Sequence, residues 1–388
     1  MDAFVVRAIC DEIYPLINQS KLSQVREVGR FCFILQFYSK KGRDYNLLIS
    51  ADNKLSRLYL TSKKLISVKK KTNFIQNLKK YLEGSIITNI HTGKWERIIQ
   101  ISFVTKSQQQ KSYALIIEFL GLSNNILLLN GQTGEIIDSI KRRSGSRNLS
   151  NIKGSKYTLP PLHKKKSLDE IDEMSFKKTL LGMKKDDANL KLFQDLLVKN
   201  ILAISPVFAE IISTNNKDLP YLFKQIKNSY ISSSFSPAII FSENNGAENL
   251  FAYGKLLKSP YKFQLFERMN DAAEIYFSRL QDDLDLIYKK KKLTSFLLSK
   301  IKRKVKTKNQ IRLDLEKSKA YKIFKKKGDL IISNLGNISP KYNSFQAIEG
   351  NDTVEIVINP RFSLIKNAEC FYKKYKKYKR MRSIGKKR

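Results

Sequence analysis

Ile98-Ile99-Gln100-Ile101-Ser102-Phe103-Val104, followed by Ser112-Tyr113-Ala114-Leu115-Ile116-Ile117-Glu118-Phe119, is the stretch from which the fold is read. Both runs are rich in β-branched and aromatic residues, too short for buried helices, and separated by a polar break. That pattern predicts two strands and a turn. Similar runs recur on either side at Phe31–Phe37, Tyr45–Ile49, Arg57–Leu60, Ile86–Ile90 and Ile126–Leu129. Gly131-Gln132-Thr133-Gly134 makes a turn before Ile136–Ile140. Strands at this density predict an antiparallel sandwich. Two helices accompany them. Residues 2–18 place Phe4, Ala8, Ile9, Ile13, Leu16 and Ile17 at helical spacing, with Pro15 positioned to kink the last turn. Asn73–Leu82 carries Phe74, Leu78 and Leu82 on one face.

Beyond the strands the pattern changes. Tyr157-Thr158-Leu159-Pro160-Pro161, followed by Lys164-Lys165-Lys166, marks a domain boundary. Residues 167–235 read as mostly helical, with Ile204-Ser205-Pro206 as a connection, and Ala238–Tyr261 holds short strand-like pieces. Asp271 to Lys317 reads as one helix on the order of 70 Å long. Its residues Leu280, Leu284, Ile287, Lys291, Thr294, Leu298, Ile301 and Val305 follow the spacing of a coiled-coil seam. Between Leu286 and Arg312 it carries eleven Lys or Arg and no acid, which favours contact with RNA over a merely solvated face. Helical Tyr321–Phe324 and Gly328–Leu335, a strand at Thr353–Ile358 and a helix from Leu364 to about Met381 complete the chain. In that last helix Tyr372, Tyr375 and Tyr378 recur among bases, to stack on nucleobases or to pack against a partner helix.

The 388 residues hold 73 Lys or Arg against 35 acids, a net charge of +38 whose clustering points to a polyanionic partner. No apolar run is long enough to span a bilayer, and Met1-Asp2-Ala3-Phe4-Val5-Val6-Arg7 lacks the basic start of a signal peptide, so a cytoplasmic protein is expected. Cys10, Cys32 and Cys370 are too scattered for a disulfide framework or a zinc site. Phosphate-cradling, GxSxG and HExxH motifs are missing, and there are only two histidines. The expectation is therefore no catalysis, no metal, no cofactor, no small-molecule substrate and no membrane partner.

A set of short matches then falls in a recognisable order. Met1–Ala8 with Glu12, Leu47–Ala51 with Arg57–Thr61, Asn73-Phe74 with Leu82-Glu83-Gly84, and Glu96-Arg97-Ile98 come first. Glu118–Gly121 with Ser123–Ile126, Ile140-Lys141-Arg142, Ile204-Ser205-Pro206, Gly328–Ile331 and Asn359-Pro360-Arg361 follow. In this order the chain resembles the NFACT family, which includes bacterial ribosome quality-control factors and proteins long labelled fibronectin-binding. The resemblance implies an α+β fold. Its parts would be a β-rich, glycosylase-like domain at 1–162, a helix-hairpin-helix and connecting region at 163–262, and a first coiled-coil arm at 263–318. A return segment at 319–362, packing on the amino-terminal part, and the start of a second, antiparallel arm at 363–388 would follow. The second arm is expected to be cut short, with the family's carboxy-terminal RNA-binding domain absent.

The implied function is to bind a stalled large ribosomal subunit that holds peptidyl-tRNA. There the factor would recruit tRNA for template-free, alanine tailing of the nascent chain. Implied tRNA contacts fall on Glu96, Arg97, Glu118, Lys141 and Arg142. Contacts to rRNA fall on Lys289, Lys290, Lys291, Lys292, Lys302, Arg303, Lys304, Lys373 and Lys374. The chain departs from the family at three of these places. Glu96 stands for Asp, Leu122 stands where Glu-Leu-Met-Gly-Arg ends in Arg, and Ala203 stands where the hairpin often has Gly. Leu122 keeps open an alternative, a ribosome binder that has lost tRNA recruitment. A base-excision enzyme is disfavoured, because Asp2-Ala3 replaces the proline nucleophile and its neighbouring Glu.

Overall fold

The computed structural model describes residues 1–39, 42–69, 71–141, 152–160, 165–171, 187–214, 219–242, 246–258, 260–336, 343–349 and 352–387. They form two units, Met1–Asp285 and Leu286–Arg388.

In the first unit, α1 (Ala3–Ile17) is capped by Asp2, whose Oδ1 accepts the Val5 N–H at 2.8 Å. Pro15 sits inside its last turn, and the helix runs on to Ile17. Nine strands follow: β1 (Lys21–Gly29), β2 (Cys32–Tyr38), β3 (Asp44–Ser50), β4 (Arg57–Leu60), β5 (Ile86–Thr92), β6 (Ile98–Val104), β7 (Ser112–Glu118), β8 (Asn125–Asn130) and β9 (Ile136–Ser139), with α2 (Asn73–Leu82) between β4 and β5. They make one antiparallel sheet in the order β4-β3-β2-β1-β5-β6-β7-β8-β9. The expected two-sheet sandwich is thus corrected to a continuous sheet. Its halves join where β1 meets β5, at the pair Lys21↔Ile86 and the flanking bonds Leu22 N–H to Ser85 and Ile87 N–H to Ser20. The rings of Phe37 on β2 and Phe103 on β6 stack at 6.4 Å, so the halves also share one core. The strands β7 and β8 are buried on both faces. Leu115 and Ile117 enter the main core, while Ala114 and Ile116 join a smaller cluster flanked by Tyr157.

Three helices follow: α3 (Asp187–Asn200), α4 (Pro206–Thr214) and α5 (Leu219–Ile231). The α3–α4 turn places Ala203 at φ +68°, a left-handed position that suits glycine. Ser205 caps α4 through the Phe208 N–H at 3.2 Å, and Pro206 takes the first helical position. Residues 167–171, expected as helix, form a turn, 172–186 lie outside the described residues, and from Asp187 to Ile231 the described residues are mostly helical as expected. A three-stranded sheet, β10 (Ala238–Phe241), β11 (Ala247–Phe251) and β12 (Lys262–Leu265), has the order β11-β10-β12.

The long helix α6 (Met269–Ser318) is rooted in this unit. Glu12 accepts the N–H groups of Met269 and Asn270 at 2.6 and 2.9 Å, satisfying two orphan donors of the first turn. Asn270 then accepts the Leu60 N–H at 2.7 Å and donates to the Leu60 carbonyl at 3.0 Å, sealing the β4 edge.

In the second unit α6 continues, and every residue from 286 to 310 is exposed. After it come α7 (Tyr321–Ser333), the hairpin β13 (Ser344–Glu349) and β14 (Asp352–Val357), and α8 (Leu364–Lys387). Ile331, Ala347, Ile356, Ile358 and Ala368 form their core. The helix α8, at the expected start of the second arm, packs antiparallel on α7. Its aromatic face dictates this. Tyr375 stacks on Tyr321 at 5.8 Å, Tyr378 on Phe324 at 5.1 Å, and Tyr372 lies over Gly328, where a Cβ would sit 3.0 Å from the ring. Within this unit the described residues of 319–362 pack against α8.

Candidate nucleic-acid interface

The turn Gly93-Lys94-Trp95-Glu96-Arg97 links β5 to β6 and carries the first two expected tRNA contacts. Trp95 is its anchor. The side chain is 1% exposed, the backbone is held at φ +61°, and the ring stacks on Tyr230 of α5 at 3.9 Å. Its backbone N–H donates to the Tyr230 hydroxyl at 3.1 Å, and its indole N–H donates to Asp169 at 2.9 Å. Asp169 also pairs with Lys94 at 2.6 Å and Lys227 at 3.3 Å. Burial pushes the Asp169 carboxyl up, but the hydrogen bonds from Lys94, Trp95 and Lys227 outweigh it and hold the group at about 2.

Arg97 precedes β6, and its carbonyl accepts the Phe119 N–H at 2.9 Å. Its side chain is exposed, yet crowding by neighbours lowers the guanidinium from its usual range, with Asp2 opposing that shift. Burial raises the Asp2 carboxyl, and the Val5 N–H partly offsets the effect. Lys165 adds a second cation. Its amine donates to the Val198 carbonyl at 2.8 Å and is lowered by burial and by Arg97. Glu118 pairs with Ile98 in the ladder, is 2% exposed and accepts the Tyr157 hydroxyl at 3.0 Å. Burial, then Glu118, then Glu96 push that phenol far up, so it stays a protonated donor. The arrangement therefore presents Arg97 to solvent with the half-buried Lys165 near it, which suits recognition of a polyanion.

Two strands further along, Asn125 pairs with Glu118 and accepts the Lys141 N–H at 3.1 Å. Lys141 donates through Nζ to Asn53 at 2.7 Å. The structure thus brings Glu96, Arg97, Glu118 and Lys141 to one end of the sheet, while Arg142 lies outside the described residues. Lys289 to Lys292 and Lys302 to Lys304 are exposed on α6, and Lys373 and Lys374 are exposed on α8. The tyrosines of α8 face α7 and are not free to stack on bases. Sequence reasoning missed Asp2, Tyr157, Lys165 and the Trp95–Tyr230–Asp169 lock. Only Asp2 carried a local signal, as a capping residue directly before an apolar helical pattern.

Among the described residues, no helix is long and apolar enough to cross a membrane, and no group of three His, Cys, Asp or Glu is placed to hold a metal.

The family described as NFACT N-terminal and middle domains matches residues 2–388. The Rqc2 homolog RqcH of Bacillus subtilis is 25% identical over 97% of this chain, which spans 67% of that relative. That of Streptococcus pneumoniae is 24% identical, again over 97% of this chain and 66% of the relative. The chain thus spans about two thirds of the length of these curated relatives. Among solved structures, the N-terminal part of the fibronectin/fibrinogen-binding protein of Streptococcus suis aligns with a TM-score of 0.58 at 19% identity, covering 72% of this chain and 99% of that one. The fibrinogen binding protein of Staphylococcus aureus aligns at 0.57 and 18% identity, covering 70% and 96%. Both share the fold.

Proposed function

The chain belongs to the NFACT family, matched over residues 2–388, and from that membership we propose that it binds stalled large ribosomal subunits carrying peptidyl-tRNA and brings in tRNA for template-free tailing of the nascent chain. Its relatives named as RqcH put it among ribosome quality-control proteins, so ribosomal RNA is the expected large partner. The observation that carries the finer reading is the gathering of Glu96, Arg97 and Glu118, with Lys165, at one end of the sheet. These groups bind and position; peptide-bond formation is left to the ribosome, and the chain itself is no enzyme in this reading. The lysines of α6 and α8 supply contacts to rRNA phosphates. The protein works in the cytoplasm.

A second reading keeps the ribosome and drops the tRNA. It is favoured by Leu122, which is 87% exposed in a loop, residues 119–124, that has no cation. Crosslinking and sequencing of RNA bound to the tagged protein in cells separates the two. Large-subunit rRNA plus one tRNA species, with the tRNA lost in the Glu96→Ala, Arg97→Ala double variant, supports recruitment. Ribosomal RNA alone, unchanged by the variant, leaves the second reading.

A further inference from the structure

The hairpin turn Gly29-Arg30-Phe31-Cys32, between β1 and β2, and the end of β9 meet around one ring. Phe31 is held at φ +58°, where a bulky side chain is strained and a glycine would not be. Its carbonyl accepts the Ala51 N–H at 2.9 Å, which ties it to the residues following β3. The Arg30 guanidinium lies 4.9 Å from the Phe31 ring centroid, and the Lys141 ammonium lies 5.1 Å from the same centroid. Lys141 is fixed further by Asn53 and by the side chain of Asn125. Arg30 is exposed and forms no ion pair among the described residues. Asp52, beside Asn53, spends its Oδ1 on the N–H groups of Lys54 and Leu55.

The place of this cluster gives it meaning. Asn125 pairs with Glu118, and Glu118 with Ile98, so Lys141 and Arg97 stand at the same end of the sheet, three strand spacings or about 14 Å apart. The loop between them, Phe119–Asn124, brings no charge, and Leu122 projects from it. Asn124 of that loop donates to the Asp52 carbonyl at 3.4 Å, which holds the loop against the turn that carries Asn53. Two cations drawn to one ring by a strained turn make a compact anion receptor at the edge of the tRNA-facing surface.

We propose that Arg30 and Lys141, held against Phe31, form a clasp for the RNA phosphate backbone, extending the contact made at Arg97. The proposal rests on the tRNA reading given above. A backbone contact is independent of base sequence and is paid for in released counterions, so each one lost lowers the salt dependence of binding in a countable way.

The test is titration of the full chain with a fluorescent tRNA transcript over a series of salt concentrations. Wild type is compared with Arg30→Gln, Arg30→Lys, Lys141→Gln and the Arg30→Gln, Lys141→Gln pair. Each glutamine is expected to reduce the slope of log affinity against log salt by about 1, the pair by about 2, and Arg30→Lys to keep the wild-type slope. Lys141 also serves the fold through Asn53, so thermal melts accompany its variants; Arg30, exposed on a turn, carries the decision by itself. If wild type binds tRNA and Arg30→Gln binds with the same slope, the clasp is overturned while the tRNA reading stands. If wild type binds no tRNA, both fall together.

Discussion

The two units hold positive charge in opposite ways. In the first, Lys165 and Lys141 are each tied to a neighbour, the Val198 carbonyl and the Asn53 amide. In the second, α6 presents its lysines and arginines from 286 to 310 on a helix exposed at every position. A held charge has lost its rotamer freedom before the ligand arrives and reads geometry. A swarm of exposed charges reads only potential, and its attraction fades with salt. The difference teaches that the acid-free helix, although the loudest feature of the sequence, is suited to rRNA affinity, and the quieter sheet end to discrimination.

The largest expected effect strikes the held end. Trp95→Ala removes a buried ring, its stack on Tyr230 and its bond to Asp169, and should cost about 3–5 kcal/mol of unfolding free energy. Denaturant titration measures it. A loss below about 1 kcal/mol would mean that the turn carrying Glu96 and Arg97 is not locked.

Replacing Lys289, Lys290, Lys291 and Lys292 together by Gln attacks the other side of the comparison. Large-subunit binding should weaken by about a hundredfold near physiological salt, with the salt slope reduced by about 3. Thermal stability should not move, because these side chains are exposed. Cosedimentation over a salt series reads both quantities.

Acid reports on the Asp169 hub. Its carboxyl is depressed to about 2 in the folded state, so its stabilising contribution is present above the unfolded value near 4 and is lost as pH falls through about 2. Asp169→Asn should flatten the loss of stability between about pH 4 and 2 relative to wild type, followed by urea melts at each pH.

The smallest effect is a gain. Ala203→Gly relieves a left-handed alanine in the α3–α4 turn and should raise stability by roughly 1 kcal/mol or less, a shift of about 2 °C in melting temperature. A fall would show that the turn's conformation costs alanine nothing.

How much of this was legible in the sequence depends on whether the signal was local. Arg57–Leu60, Ile98–Val104 and Asn73–Leu82 coincide with β4, β6 and α2, because period and apolar content agree along each. β1 was missed. Bulges at Leu22/Gln24 and Glu27/Gly29 break its alternation and leave Leu22, Val25 and Val28 three apart, a spacing that imitates a helix. The seam of α6 looked like half of a coiled coil, and nothing local told that the aromatic face of α8 belongs to α7. At the site, Arg97 stood out through ordered motifs, but Glu118 and Tyr157 meet across thirty-nine residues of chain. Phe31 and Trp95 gave no warning either, because neither residue type announces a positive φ.

The central claim is that Glu96 and Arg97 hold tRNA on a large subunit that the protein already occupies. Purified stalled large subunits carrying peptidyl-tRNA, incubated with labelled tRNA and this chain, test it most directly. Wild type should bring tRNA to the particle, and the Glu96→Ala, Arg97→Ala variant should bind the particle equally well while recruiting at least tenfold less tRNA. Equal recruitment by both, or none by wild type bound to the particle, would contradict it.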